Sequence, residues 1–302
     1  MTDPFFERIR EFVLQRSRLS FTGHKKAILR QRLGTRLEQL GLADYAAYWD
    51  HLQRTETEEA ALYDLLTTNE TFFFRNPEQF RYLREAVLPA LELRRGESVV
   101  RSWGSEQQGT AKDIMKLRIL CAGCSTGEEP YSVAMTLLEA LRYPRAWDIE
   151  ILAGDLSESC LRTARAGFYE TERLKGILAS LRKKYLVPVP GGAVVRDDLK
   201  QLIRFTSLNL NNLMNGELPP GFGPGFSGFD IIFCRNVMIY FSPSCQQQLV
   251  DTLYRLLSPR GYLLTGDAEP LHLFAHDFVT VREAGCLIYQ KTEKTDDANA
   301  EC

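Results

Sequence analysis

The chain has 302 residues, 44% hydrophobic and 25% charged, with a formal net charge of −2. That balance suits a folded globular protein and gives no general attraction to nucleic acid or to an anionic membrane. The opening "MTDPFFERIREF" lacks the apolar region of a signal peptide, no stretch reaches the ~20 uncharged residues of a membrane span, and an odd seven cysteines suit reduced thiols in the cytoplasm.

Residues 1–93 read as a helical domain. In "AILRQRLGTRLEQLG", Leu29, Leu33, Leu37 and Leu40 recur at helical spacing and Gly41 supplies a stop. "ADYAAYWDHLQR" and "EEAALYDLLTTNE" predict two further helices. Pro77, suited to a first helical turn, opens another over 77–93. Residues 94–116 then lose periodicity and gain Gly, Ser and Gln, which predicts a linker or insertion.

From Leu117 to 291 the texture alternates. "LRILCAG", "WDIEILAGD", "FDIIFCRNVMIYF" and "GYLLTGDAE" read as strands, while "EEPYSVAMTLLEALRY", "SESCLRTARAGFY" and "SPSCQQQLVDTLYRLLSP" read as helices. "FVTVREAGCLIYQK" has the pattern of a closing hairpin. The alternation predicts an α/β fold, a parallel sheet with helices on both faces. "YLVPVPGGAVVRDDLKQLIRFTSL" interrupts it and predicts a small antiparallel β insertion over about 182–208. The polar residues 292–302 read as a disordered tail.

The chemistry concentrates in "LCAGCSTGEEPYS", Leu120 to Ser132. Cys121 and Cys124 form a CxxC pair, but a structural zinc site needs a second pair, and none follows. His272 and His276 stand four apart, yet Leu273 takes the place where a metalloprotease helix carries glutamate. No metal is expected. A phosphate cradle needs Gly-Lys-Ser/Thr, whereas Gly127 precedes Glu128; the G-x-G-x-x-G of a dinucleotide fold is absent too. A ligand with positive charge and no phosphate remains, and S-adenosylmethionine has a sulfonium, an ammonium and a ribose. Asp155, ending the next strand, is placed to hold ribose hydroxyls, and Ser157 competes with it for the helix cap.

"AGCSTGEEPYS", together with "TTNETFFFR" (Thr67–Arg75), "FDIIFCRNVMIYF" and "GYLLTGDAEPL", resembles the CheR family. These chemotaxis receptor methyltransferases esterify glutamate side chains of methyl-accepting proteins, turning S-adenosylmethionine into S-adenosylhomocysteine. The resemblance covers nearly the whole chain. It implies a small helical N-terminal domain joined to a Rossmann-like methyltransferase domain with a β-subdomain, which in some members docks a peptide at the receptor C-terminus.

It further implies cofactor contacts from Asn69, Thr71 and Arg75, beside Glu128 and Asp155. Asn209 and Leu210 would flank the adenine, and Arg235 and Asn236 would line the pocket. Arg75 and Tyr240 would stand nearest the transferring methyl as the catalytic pair. Asp267-Ala268 departs from the His-Ser usual in relatives, and the linker near Gln107 is longer than usual. The implied partner is the cytoplasmic helical region of methyl-accepting receptors, met by a monomer that binds no nucleic acid. Residues 1–40 carry nine basic against four acidic side chains, which predicts either a solvated face or a docking surface for an acidic helix. Two other readings keep the same fold: a non-catalytic sensor of the cofactor or its product, and a methyltransferase acting on a small acid.

Overall fold

Asp3 starts the first helix by accepting the amides of Phe5 and Phe6, with Pro4 at the first helical position. The computed structural model describes residues 3–102, 115–218, 221–223, 226–283 and 285–293. Helices α1 (Pro4–Ser17), α2 (Lys25–Leu40), α3 (Tyr45–Arg54) and α4 (Glu58–Leu66) pack around Phe6, Ile9, Val13, Leu29, Leu33, Tyr48 and Leu62. Gly41 ends α2 in the left-handed region, at φ 66°. Beneath these helices lies a charge. Glu58, 2% exposed, accepts Arg36 at 2.6 Å and the Tyr48 hydroxyl at 2.9 Å.

Pro77 opens α5 (Pro77–Tyr82), which runs through a π turn (Leu83–Val87) into α6 (Leu88–Ser102). This helix outruns the predicted 77–93, so residues 94–102 are helical and not a linker. Its buried Phe80, Leu83, Val87, Leu88 and Leu91 share one core with Ile119, Ile231 and Phe233 of the sheet. The helix therefore packs as part of the α/β domain, and the purely helical unit ends near Leu66, short of residue 93. Periodicity shows that a helix buries a face; it does not show against what. Residues 103–114, with the linker around Gln107, and the tail 294–302 lie outside the described residues.

The α/β part begins with β1 (Lys116–Ala122), α7 (Glu128–Ala140), β2 (Asp148–Asp155) and α8 (Glu158–Ala166). Then come β3 (Phe168–Glu170), α9 (Ala179–Tyr185), β4 (Leu186–Val189), β5 (Gly192–Val195), α10 (Asp197–Lys200), β6 (Ile203–Ser207) and α11 (Leu210–Met214). It closes with β7 (Phe229–Cys234), α12 (Pro243–Leu256), β8 (Leu257–Thr265), β9 (Phe278–Glu283) and β10 (Cys286–Lys291). The main sheet has the order β6-β2-β1-β7-β8-β10-β9. Its first five strands are parallel and the closing hairpin β9–β10 joins antiparallel. Every residue of β7 is buried, as expected for a parallel strand covered on both faces.

The β insertion differs from its expected bounds of 182–208. A separate antiparallel sheet, β3-β5-β4, begins at Phe168 and ends at Val195. Ile203–Ser207 instead pairs parallel with β2 as the edge strand of the main sheet. A half-buried five-residue strand fits either sheet by its pattern, and only the partner decides. Gly191, at φ 83°, turns the insertion's hairpin, and Gly192 lies against the Tyr169 carbonyl where a Cβ would clash.

Candidate active site

The C-terminal ends of β1, β2 and β7 open into a cavity whose other walls are α1, α2 and the segment Thr67–Arg75. This is the crevice where open parallel sheets bind ligands. After β1 the chain makes a tight turn with Gly123 at φ 85°, Ser125 at 48° and Gly127 at 96°. A Cβ on Gly127 would stand 2.8 Å from that of Ala164 and 2.9 Å from the Tyr169 hydroxyl, so glycine is required twice over. The amides of Gly123 and Cys124 both donate to the Gly154 carbonyl, at 2.8 and 2.9 Å, which ties the turn to the end of β2.

Asp155 stands at that end, 8% exposed and lining the cavity. One of its oxygens accepts the Ser125 amide at 2.7 Å and the other the Ser157 amide at 2.9 Å. A carboxylate has roughly four acceptor positions, so room remains for a ligand. Burial pushes its pKa up, against the pull of those backbone amides. Ser157 caps α8 with its own hydroxyl, accepting the Cys160 amide at 3.2 Å. Cap and cavity acid are thus separate residues.

The two adjacent glutamates part company. Glu128 is fully buried and faces away from the cavity, ion-paired with Arg173 and accepting the Thr126 hydroxyl at 2.7 Å. It is not among the cavity-lining residues; Glu129 is. Neighbours on a helix point about 100° apart, and the sequence gives no means of choosing between them. Glu129 meets Arg235 at 3.2 Å, and burial raises its pKa despite that cation. Cys121 and Cys124 are buried in the core, where burial lifts their thiol pKa far above the ordinary value.

Arg235 and Asn236 extend the end of β7 into the cavity. Arg235 also donates to the Arg75 carbonyl and the Asn76 side chain. Asn76 in turn donates to Asp267, so the Asp267-Ala268 departure touches the site's outer edge. Asn236 adopts φ 59°, and its amide donates to Glu269 at 2.5 Å. Glu269 further accepts Gly266 at 3.0 Å and Ile239 at 3.2 Å, holding the loop that carries Tyr240. Sequence reasoning missed Glu269, although the residue lies in "GYLLTGDAEPL". Its only signal was an acid just past a strand end.

Tyr240 lines the cavity, and its carbonyl accepts the Ser20 amide at 2.9 Å. Arg75 donates to the Glu70 carbonyl at 3.1 Å and lies over the Phe72 ring. Asn69 and Thr71 line the cavity beside it, the Asn69 carbonyl accepting the Ser125 hydroxyl at 3.1 Å. Asn209 and Leu210 are also lining residues, but the Asn209 amide group is spent on the Arg16 carbonyl at 2.8 Å. Sequence reasoning gave α2 and the loop before it no part in the cavity, yet Leu19 and Phe21 of the loop and Lys25 and Ile28 of α2 help wall it. Lys25 reaches across to the Ile239 carbonyl at 2.9 Å.

Three buried polar atoms here lack hydrogen-bond partners: Glu129 Oε1, Arg235 Nε and Asn236 Oδ1. An unpaired carboxylate oxygen beside a cavity suits an ammonium, and Asp155 suits a pair of hydroxyls. The donor set fits S-adenosylmethionine.

Two family models divide the chain between them: "CheR methyltransferase, all-alpha domain" over residues 4–67 and "CheR methyltransferase, SAM binding domain" over 69–285. The chain belongs to the CheR methyltransferase family. Chemotaxis protein methyltransferase 2 of Pseudomonas aeruginosa is 34% identical over 94% of this chain and 91% of its own length. The chemotaxis protein methyltransferase of Escherichia coli is 34% identical over 89% and 85%. A probable biofilm formation methyltransferase, WspC of P. aeruginosa, is 29% identical over 95% of this chain but 62% of its own. S-adenosylmethionine is accordingly the cofactor of this CheR methyltransferase. The junction of the two CheR models falls just after α4, where the helical unit ends.

Proposed function

We propose that this CheR methyltransferase moves a methyl group from S-adenosylmethionine to glutamate side chains of methyl-accepting receptors, forming methyl esters. The observation that carries the reading is the cavity's division of labour: Asp155 and Glu129 on one side, and Tyr240 in the same wall. Asp155 would hold the ribose, Glu129 would take the ammonium, and Leu210 with Asn209 would border the adenine. The cofactor supplies an activated methyl on its sulfonium.

The acceptor needs no base. A glutamate with pKa ~4.3 is ionised at neutral pH, so its carboxylate oxygen is already a nucleophile toward the methyl that the cofactor would supply. What this chain supplies is alignment and exclusion of water, which in ideal cases is worth ~7–11 kcal/mol. Arg75 orients the acceptor carboxylate by charge-assisted bonds, and Tyr240 positions it through its hydroxyl. Too strong a grip would favour the resting anion and slow attack, so positioning outweighs activation.

The reading includes a cytoplasmic monomer that meets the helical cytoplasmic region of a receptor with its N-terminal helices. Strand β4 lies at an edge of the small sheet and offers pairing to a receptor C-terminal peptide. Among the described residues no helix is long and apolar enough to cross a membrane. The test uses methyl-labelled cofactor and receptor fragments, followed by alkali. Labelled methanol identifies an ester; alkali-stable label overturns the carboxylate reading, and binding without label would favour a sensor.

A further inference from the structure

Asp64 lies on α4 of the helical unit, outside every motif that carries the family resemblance. Its Oδ1 accepts the Ser157 hydroxyl at 2.6 Å and the Ser159 amide at 3.1 Å. Ser157, fully buried, gives its own amide to Asp155 at 2.9 Å. A chain of hydrogen bonds therefore runs from the helical domain through one serine to the acid at the end of β2.

We infer that Asp64 is a positioning residue for the cofactor: it fixes Ser157, and through Ser157 the orientation in which Asp155 meets the ribose. The inference rests on Asp155 being the ribose-holding acid.

Ser157 has a single hydroxyl proton and also accepts the Cys160 amide at 3.2 Å. An acceptor-only carboxylate at 2.6 Å forces that proton toward Asp64 and leaves the oxygen's lone pairs for the helix. Without Asp64 the proton can turn to the Ser159 hydroxyl, 3.1 Å away, and the helix start loses the anchor that holds it against α4. The Ser157 amide is rigidly attached to that turn, so Asp155 loses a fixed partner on one oxygen. Hydrogen-bonded chains of this kind act as units, which makes a remote member felt at the site. The helical domain is thereby part of the cofactor site and not only a roof over it.

The test is calorimetry on the full chain with two ligands, S-adenosylhomocysteine and its 2′,3′-dideoxyribose analogue, and melting temperatures as a control. Asp64→Ala should weaken the natural product roughly tenfold, the scale of one lost hydrogen bond to a charged group, and leave the dideoxy analogue unchanged. Asp64→Asn keeps an acceptor oxygen and should restore wild-type affinity. Equal losses for both ligands, or no loss for either, would overturn the role of Asp64. So would an Asn variant as weak as Ala. Asp155→Ala separates the two readings. If it discriminates between the ligands and Asp64→Ala does not, only this inference fails; if Asp155→Ala does not discriminate, the ribose assignment and this inference fall together.

Discussion

Arg235 and Glu129 form an ion pair at 3.2 Å with 2% and 12% of their side chains exposed, and each keeps one buried polar atom unpaired. Burial raises the glutamate's pKa and lowers that of the arginine, so each is held charged partly by the other. The pair joins the helix after β1 to the end of β7, the two elements that flank the cavity. Glu129 Oε1 takes no part in it.

The raised pKa of Glu129 sets a pH dependence. A carboxyl lifted above its ordinary value of 4.5 protonates earlier on acidification. Neutral Glu129 no longer holds an ammonium, so affinity for S-adenosylhomocysteine should begin to fall at a pH above 4.5. Asp155, raised by burial as well, adds to the slope. Glu129→Gln should bind weakly and show a shallower profile in calorimetry across that range. A profile identical to wild type would remove Glu129 from the site.

Asp155→Ala should weaken S-adenosylmethionine and S-adenosylhomocysteine alike, because both carry the same ribose. Hydrogen bonds to a charged group are worth about 1.5–3 kcal/mol, or some ten- to hundredfold in affinity. Unchanged calorimetric affinity for both ligands would contradict the assignment.

Tyr240→Phe removes the hydroxyl and little else, since the backbone bond from Ser20 survives. Turnover should fall far more than cofactor affinity. Equal turnover in variant and wild type would make Tyr240 a wall residue only.

Glu269→Gln puts an amide NH2 either where one oxygen accepts the Asn236 and Gly266 amides or where the other accepts the Ile239 amide, so a donor meets a donor in both orientations. An unsatisfied buried donor costs about 1–3 kcal/mol. The melting temperature should drop, and turnover should fall beyond what cofactor affinity loses, because the loop carries Tyr240. Intact turnover in a folded variant would disprove that positioning role.

The basic surplus of the first 40 residues does not form a uniform docking face. Lys26 is paired with Glu7, and Arg36 with the buried Glu58. Burial pushes Glu58 up, but hydrogen bonds from Arg36 and Tyr48 outweigh it and leave its pKa below 4.5. The pair's stabilisation is therefore present above pH 4.5 and lost as pH falls through the lowered value. Arg36→Glu should cost about 3 kcal/mol or more in denaturant unfolding at neutral pH, since it strands a buried charge. Exposed Arg16 and Arg30 rest on Phe12 and Phe6, with no carboxylate partner among the described residues. Reversing these two should raise receptor KM and flatten its salt dependence at constant cofactor affinity. If KM and salt slope stay unchanged, recognition lies elsewhere.

By itself the sequence determined what is local and chemical: the α/β alternation, the stop at Gly41, the glycine turn, and Asp155 at the end of its strand. Helical period, turn conformation and charge type are properties of a few neighbouring residues, so a linear reading reaches them. The tertiary structure alone decided which neighbour faces inward, as with Glu129 over Glu128, and which sheet claims Ile203–Ser207. It also brought Asp64 to Ser157 and Glu269 to Asn236, contacts made across separate elements. A side chain's partner depends on how helices and strands pack against one another, and that packing is a property of the whole chain.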